Sequence, residues 1–600
     1  MKQRVADFIA DYLAENGITQ IFSVVGGMAM HLNNAFGTNE NLNVVYNHHE
    51  QACAIAAESY SRINNNMAAV CVTSGPGGTN AVTGVLCAYL DNLPMLVISG
   101  QVRSDITVSS TGLNLRQFGE QEFQIVKAIA PMTKYAVMIT DANSIKYHLG
   151  KAIYLAKNGR KGPCWIDIPL DIQGKIIETD ELREFVPPKV EKIRSDKIES
   201  IAEEIKKAKR PVLIAGSAMR TAGILEPFYQ LVEKWKIPVI CPTSISDIMA
   251  VDEEYYFGMF GSFGGRVGNF IIQNADLIVS FGCRFSFKQI GFNFERFSTK
   301  SKKIVIDIDE EELKKPTIHI DFPICGDVKD IIECLVARDL EVNMDIKEEW
   351  LDYCRFLKEK FCDEFKYDGK AISAYQVADA FYQDSPENSI TVVGNNCAAI
   401  AFLQRGVRLR NQRVYGNVNC GPMGYDIPAA IGASIASQNI VYCMTGDGSF
   451  QMNIQELQTI VHHNLPIKIV VFNNNSYQAI VQSQTNFFNG IFTGCTIDSG
   501  ISFPSFEKIA YAYGIPFAKA SQSNEVNKAL KWLIDEKGPA LLELVQSEID
   551  PIRPKMSSKK LDDGTMLSLP IDNLYPFLTD EEYKLCQFEN FIRKGKNKNV

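Results

Sequence analysis

The sequence predicts an α/β protein of three doubly wound, parallel-sheet domains. Three observations predict it. The chain has 600 residues, whereas a single hydrophobic core stops growing at about 250–300 residues. Short apolar runs alternate with helical patterns in three successive blocks, the rhythm of parallel strands joined by helices. The blocks are parted by Glu184-Phe185-Val186-Pro187-Pro188-Lys189 and by a charged helical connector from about 347 to 366. Pro187 and Pro188 can continue neither a helix nor a central strand.

The expected domains are 1–185, 190–345 and 370–550, with a tail at 551–600. Strand candidates in the first block are Ile21–Val25, Ala68–Thr73, Pro94–Ser99 and Cys164–Ile168. In the second they are Pro211–Ala215, Pro238–Cys241, Leu277–Phe281 and Lys303–Ile308. In the third they are Ile390–Val393, Ile440–Thr445, Ile467–Asn473 and Ala540–Val545. The first and third blocks share size and rhythm, which hints at a duplicated fold. The tail has little periodicity, and its lysine-rich end, Arg593 to Lys598, reads as a solvated terminus.

Hydrophobic residues make up 46% and charged residues 22%, ordinary for a globular chain. A net charge of −9 argues against a nucleic acid or an anionic membrane as main partner. The 15 cysteines are scattered and form no CxxC pair, as expected of small buried apolar residues in a reducing cytoplasm. Residues 1–16 show an amphipathic helix (Val5, Phe8, Ile9, Tyr12, Leu13) rather than a signal sequence. No run reaches the roughly 20 apolar residues of a membrane span.

The chemistry concentrates in the third block. Gly446-Asp447-Gly448 follows one strand, and Asn473-Asn474 follows the next. Asp447 and Asn474 stand 27 positions apart (474 − 447). Parallel strands bring both turns to the carboxyl edge of the sheet, where ligands of such sheets bind. One carboxylate and one amide oxygen can converge there on a hard cation such as Mg²⁺. The glycines let backbone amides approach a diphosphate at a helix start. A lone Gly-Asp-Gly is usually only a turn; the paired Asn and the strand rhythm make it more.

The segment Gly446 to Ser476 resembles the signature of thiamine-diphosphate enzymes. By that resemblance Asp447, Asn474 and the Ser476 carbonyl hold Mg²⁺, and Gly448 and Ser449 touch the diphosphate. Asn47-His48-His49-Glu50-Gln51 resembles the His-Glu-Gln motif of the acetohydroxyacid (acetolactate) synthase branch. There the Glu donates a proton to the cofactor's pyrimidine ring and favours the imino tautomer, which deprotonates the thiazolium carbon. Without that context a lone Glu at a strand end is more often merely solvated. In Gly421-Pro422-Met423-Gly424-Tyr425, Met423 matches the apolar prop that bends the cofactor, and the Gly421 carbonyl would hold its amine. Thr73 to Asn80, with Gly75 and Pro76, and the stretches Asp91-Asn92-Leu93-Pro94 and Ser99 to Val102 also match the branch. Gly394-Asn395-Asn396 ends another strand and would face the diphosphate, and Gly26-Gly27 would line the substrate pocket.

The resemblance runs from about Arg4 to Asp550. It implies a pyrimidine-binding, a middle and a diphosphate-binding domain. It also implies that Glu50 of one subunit meets Asp447 of another, in a homodimer or homotetramer. The expected reaction is decarboxylation of a 2-oxo acid such as pyruvate and transfer of the two-carbon unit to a carbonyl acceptor.

The chain departs from the branch in several places. Ser483 stands where a substrate-selecting Trp is usual, which opens space for a larger acceptor. The loop 103–121 is long and carries Arg103, Arg116, Gln117 and Gln121; its arginines are ordinary surface charge or the grip on an acceptor phosphate. The segment 554–577 is unlike the usual tail and could fold over the active-site mouth. These features resemble acetolactate-synthase-like proteins that transfer acetyl to a nucleotide-linked keto-sugar, an alternative beside simple 2-oxo acid decarboxylation, a flavin-dependent oxidase and a non-catalytic subunit. In the middle block Gly258 to Gly261, Gly282 to Phe285, Asp307 and Asp309 resemble FAD-holding segments, but Phe263 replaces a His and Lys288 an Arg, so the sequence leaves FAD open. His462 and His463 read as structural.

Overall fold

The computed structural model describes residues 1–189, 195–338, 348–362, 364, 367, 369–395, 397–546, 552–560 and 566–598. Asn396 lies outside the described residues, as do Asp562, Asp563 and Gly564.

Three six-stranded sheets, each wholly parallel, carry the fold. In the N-terminal sheet the strands lie in the order Asn43–Tyr46, Gln20–Ser23, Ala68–Val72, Met95–Gln101, Pro163–Pro169 and Tyr135–Met138. In the C-terminal sheet the order is Arg413–Tyr415, Ile390–Val393, Val441–Gly446, Ile467–Asn473, Ala540–Val545 and Phe517–Ala520. Numbered in chain order within each sheet, both read 2-1-3-4-6-5. The middle sheet runs Tyr256–Phe260, Val239–Pro242, Pro211–Ala215, Leu277–Phe281, Lys302–Asp307 and Phe322–Cys325, which is 3-2-1-4-5-6, the order of dinucleotide-binding folds. The central strands are mostly apolar because helices cover both faces, with a few buried polar side chains such as Asp167, Lys468 and Glu543 set among them.

The N- and C-terminal units pack through two small-residue helices, Glu50–Asn64 and Asp426–Ser437. A Cβ on Gly432 would lie 2.0 Å from the Ala56 carbonyl oxygen, so the backbones can approach this closely only with glycine there. Ser59 donates to the Ala429 carbonyl at 2.6 Å across the same contact. One apolar core is shared by these units (Phe22, Ile55, Ile431, Ile469) and another by the middle and C-terminal units (Leu213, Phe281, Phe381, Phe472).

The tail is more ordered than its weak periodicity suggests. The tail packs against the connector helix Glu348–Lys360, where Phe588 meets Trp350 and Tyr353 edge-on, and against the middle unit, where Asn269 donates to the Ile571 carbonyl at 2.7 Å. Aromatic burial against another unit, invisible to a local pattern, orders it. Among the described residues no helix is long and apolar enough to cross a membrane.

Candidate functional site

The strands Val441–Gly446 and Ile467–Asn473 pair in parallel with Gly446 opposite Phe472, so the turns that follow leave the same sheet edge side by side. Asp447 opens a short helix and is nearly fully buried. Its carboxylate accepts from the Gly448 amide at 2.7 Å and the Asn474 amide at 3.1 Å. Burial pushes the Asp447 carboxyl up to about 6, against the opposing pull of amides from Gly448, Asn474, Ser476 and Asn475. Asn474 turns its Oδ1 to the amide and hydroxyl of Ser476, at 3.1 and 2.9 Å. Asn475 between them has φ 54°, the left-handed region that Asn tolerates.

These residues line a cavity of about 160 Å³ together with Gly446, Gly448, Ser449, Met423 and Asn395. A Cβ on Gly448 would stand 2.3 Å from the Tyr477 ring and 3.1 Å from the Met423 methyl. Ser449 accepts from the Gly424 amide at 2.8 Å, which ties the Met423 loop to the Asp447 helix. Gly421, at φ 62°, offers its carbonyl to the Asn395 side chain. The sequence-derived C-terminal residues thus come together, Asn396 aside. Tyr477, Gln478, Cys397 and Gln546 also line the cavity; Cys397, Tyr477 and Gln478 lie next to motifs, whereas Gln546 is far from any in sequence.

The second group gathers at the carboxyl edge of the N-terminal sheet. Glu50 begins its helix and accepts from Asn80 Nδ2 at 2.9 Å. Gly77 approaches the same carboxylate: a Cβ there would be 3.7 Å from Oε1. Gly75 has φ 59°, and a Cβ on it would meet the Gln121 carbonyl oxygen at 2.5 Å; Pro76 follows as the first helical residue. Gly26 packs on Thr73, whose hydroxyl accepts from the Met28 amide at 3.2 Å, while Gly27 faces open space. None of the described residues lining the Asp447 cavity comes from this unit. Within one chain the two groups remain two half-sites.

The loop after residue 102 is organised by Glu122, which is buried and accepts from the amides of Phe118 and Gly119 at 3.0 and 3.1 Å. Arg103 is paired with the exposed Asp105 at 2.7 Å, and Arg116 is exposed on the same loop. Below it, Asp167 accepts from Ser99 and Gln101, and complete burial pushes its carboxyl up to about 7. Ser483 lies one helical turn beyond Ala479, exposed, with its hydroxyl on the Ala479 carbonyl at 2.9 Å.

Two further cavities extend from the first, one adjoining it and the other adjoining that one. One of about 300 Å³ lies between the middle and C-terminal units, lined by Ser217, Gly282, Arg284, Lys288, Asn395 and Cys397 among others. The other, of about 90 Å³, is lined by Arg160, Lys161, Asp307 and again Ser217, Gly282 and Arg284. Shared walls make them one run from Arg160 to Asp447. Asp309 does not line it; it pairs with Arg160 at 2.7 Å. Of the described tail residues only Ile552 lines this run, and Lys555 reaches Gln482 at 3.3 Å.

Among the described residues no three His, Cys, Asp or Glu side chains gather as a metal cluster. The Asp447 turn offers one carboxylate and the amide oxygen of Asn474, hard oxygen donors of the kind that could hold a cation such as Mg²⁺.

Residues 3–127, 198–335 and 393–544 match, respectively, the N-terminal TPP binding, central and C-terminal TPP binding domains of thiamine pyrophosphate enzymes. A probable acetolactate synthase large subunit of Methanococcus aeolicus is 32% identical over 84% of this chain and 85% of its own length. The acetolactate synthase large subunit of Lactococcus lactis is 31% identical over 92% and 93%, and the chloroplastic acetolactate synthase of Arabidopsis thaliana 31% over 92% and 83%.

Proposed function

From the premise that this chain belongs to the thiamine pyrophosphate enzyme family, beside the acetolactate synthases, we propose that it decarboxylates pyruvate and joins the two-carbon unit to a second carbonyl compound. The observation that carries this reading is the pair of turns at Asp447 and Asn474, on neighbouring parallel strands and beside Met423. The relatives are acetolactate synthases, which favours acetolactate formation over transfer to a nucleotide-linked keto-sugar.

Residues 1–185 form the pyrimidine-binding domain, 190–345 the middle domain, 370–550 the diphosphate-binding domain and 551–600 the tail. Thiamine diphosphate, when bound, supplies the carbanion chemistry that a 2-oxo acid needs to lose CO₂. Asp447, Asn474 and the Ser476 carbonyl hold Mg²⁺. The glycines at 446 and 448, with Ser449 and Asn395, leave room for the diphosphate at the helix start. Met423 sets the bend of the cofactor, and the Gly421 carbonyl takes its amine. Glu50 holds a proton at the pyrimidine nitrogen, the step on which activation depends. Gly75, Pro76 and Gln121 wall that end. Gly26 and Gly27 line the substrate pocket, with Arg116 and Ser483 on the acceptor side.

Because the Asp447 cavity is lined by no described residue of the N-terminal unit, Glu50 is supplied by a second copy, and the working enzyme is a homodimer or a dimer of dimers. Large apolar side chains are exposed beside both half-sites, among them Val25, Met30, Phe487 and Phe488, as a surface that closes on another copy leaves them. The cavity run over the middle sheet is the place we assign to FAD, although Arg160 and Arg284 on its wall are paired with Asp309 and Glu312. Asp307 stands at a strand end where a ribose hydroxyl binds, and Arg160 and Arg284 offer cations to a diphosphate.

The test is incubation with pyruvate, Mg²⁺ and thiamine diphosphate, with products read by mass spectrometry. CO₂ release with acetolactate is the expected result; acetaldehyde or acetyl phosphate as the sole product defeats the carboligase reading. A yellow protein that releases flavin on denaturation supports FAD, and a colourless one refutes it.

A further inference from the structure

Between the two half-sites carried by one chain lies a polar connection that the reaction itself does not use. Asn453, at the end of the Asp447 helix, is almost fully buried. Its Nδ2 donates to the Gly424 carbonyl at 2.6 Å and to Gln51 Oε1 at 3.1 Å. Gly424 is next to Met423, and Gln51 is next to Glu50. Gly424 has φ 82°, and a Cβ on it would stand 2.9 Å from Asn453 Nδ2, so glycine is what admits the amide.

Three residues on, Glu456 is fully buried, and among the described residues its hydrogen-bond partners include no cation. Its carboxylate accepts from Asn47 Nδ2 at 2.9 Å, the His48 amide at 3.0 Å and the Thr459 hydroxyl at 2.7 Å. Asn47 and His48 form the turn that leads into Glu50. One short stretch, 453–456, therefore makes three hydrogen bonds to the segment around Glu50 and one to the Met423 loop. Buried bonds of this kind fix orientation, since breaking one leaves polar groups without water.

We propose that Asn453 is a positioning residue that couples two active sites. It sets Glu50 for the cofactor shared with the partner's Asp447 and, by the same amide, sets the Met423 loop for the cofactor at its own Asp447. This rests on the cross-subunit reading above. A shift of the Met423 loop as one site fills is carried through Asn453 to Gln51, and so to the acid serving the other site.

The test uses mixed dimers assembled from two differently tagged full-length chains, one carrying Glu50→Gln and the other Asp447→Ala. If sites form across subunits, such a dimer has one working site, with Glu50 from the second chain and Asp447 from the first. A mixed dimer without turnover overturns the cross-subunit reading, and the coupling with it. Given turnover, Asn453→Ala is placed in either chain. In the chain that supplies Glu50 it slows exchange of the thiazolium proton for deuterium about tenfold or more, with the Kd for thiamine diphosphate little changed. In the chain that supplies Asp447 it weakens thiamine diphosphate binding about tenfold. Gln51→Met, which removes the acceptor of the Asn453–Gln51 bond and leaves the Asn453–Gly424 bond in place, acts from the Glu50 chain alone and carries the test if Asn453→Ala does not fold. If both placements alter the same quantity equally, or only the Tm falls, the coupling role is wrong.

Discussion

The N- and C-terminal sheets repeat one strand order, 2-1-3-4-6-5, yet their carboxyl edges are dressed for different work. In the C-terminal sheet the third and fourth strands end in Gly446-Asp447 and Asn473-Asn474. In the N-terminal sheet the corresponding strands end at Val72 and Gln101, and the carboxylate, Glu50, follows the second strand, at the sheet edge. The difference teaches that topology supplies the edge while a few turn residues decide its chemistry. Two turns that could share one ion need adjacent strands, because only neighbouring strand ends lie close enough. An acid that addresses a ring nitrogen needs only one helix start.

The comparison breaks most completely at the cation. Asp447→Ala should abolish turnover and the thermal stabilisation that Mg²⁺ with thiamine diphosphate provides, both measured on the purified protein; EDTA should do the same reversibly. Glu50→Gln should lower kcat by about 10²–10⁴, the usual worth of a positioned proton, while calorimetry still registers cofactor binding. Equal losses of affinity in the two variants would erase the distinction between the edges.

Gly432→Val probes the joint between the two units. Its Cβ would meet Ala56 backbone at 2.0 Å, and denaturant unfolding should register a loss of about 3 kcal/mol or more. Asp167 sharpens the comparison from the N-terminal side. Its carboxyl is raised to about 7 when folded, so the unfolded chain releases that proton more readily. The stabilising effect is complete below the unfolded pKa near 4 and is lost as pH rises through about 7. Asp167→Asn should therefore flatten the fall in Tm between pH 5 and pH 8, roughly, with little effect elsewhere. The smallest effect is expected at Ser483→Trp, which should leave pyruvate decarboxylation near wild type and reduce use of bulky acceptors in competition assays.

Much of this was legible in the chain. The central strands read as apolar runs because they are covered on both faces, and Asp447 and Asn474 are separated by two short helices and one strand, so their spacing reports their meeting. The edge strands Tyr135–Met138, Arg413–Tyr415 and Phe517–Ala520 went unread; they are short and partly exposed, so no continuous apolar run marks them. Arg160 and Asn453 went unread for another reason, since each matters through a neighbour more than a hundred residues away in sequence.

By itself the sequence determined the fold class, the parallel rhythm and the residue types at each strand end, because periodicity and turn chemistry are local. Only the tertiary structure decided that the first and third sheets share one topology, that the tail docks on the middle unit, and that Glu50 stands apart from the Asp447 cavity of its own chain. Those outcomes depend on packing between distant segments, such as Gly432 against Ala56 and Phe588 against Trp350, whose energies no local pattern encodes.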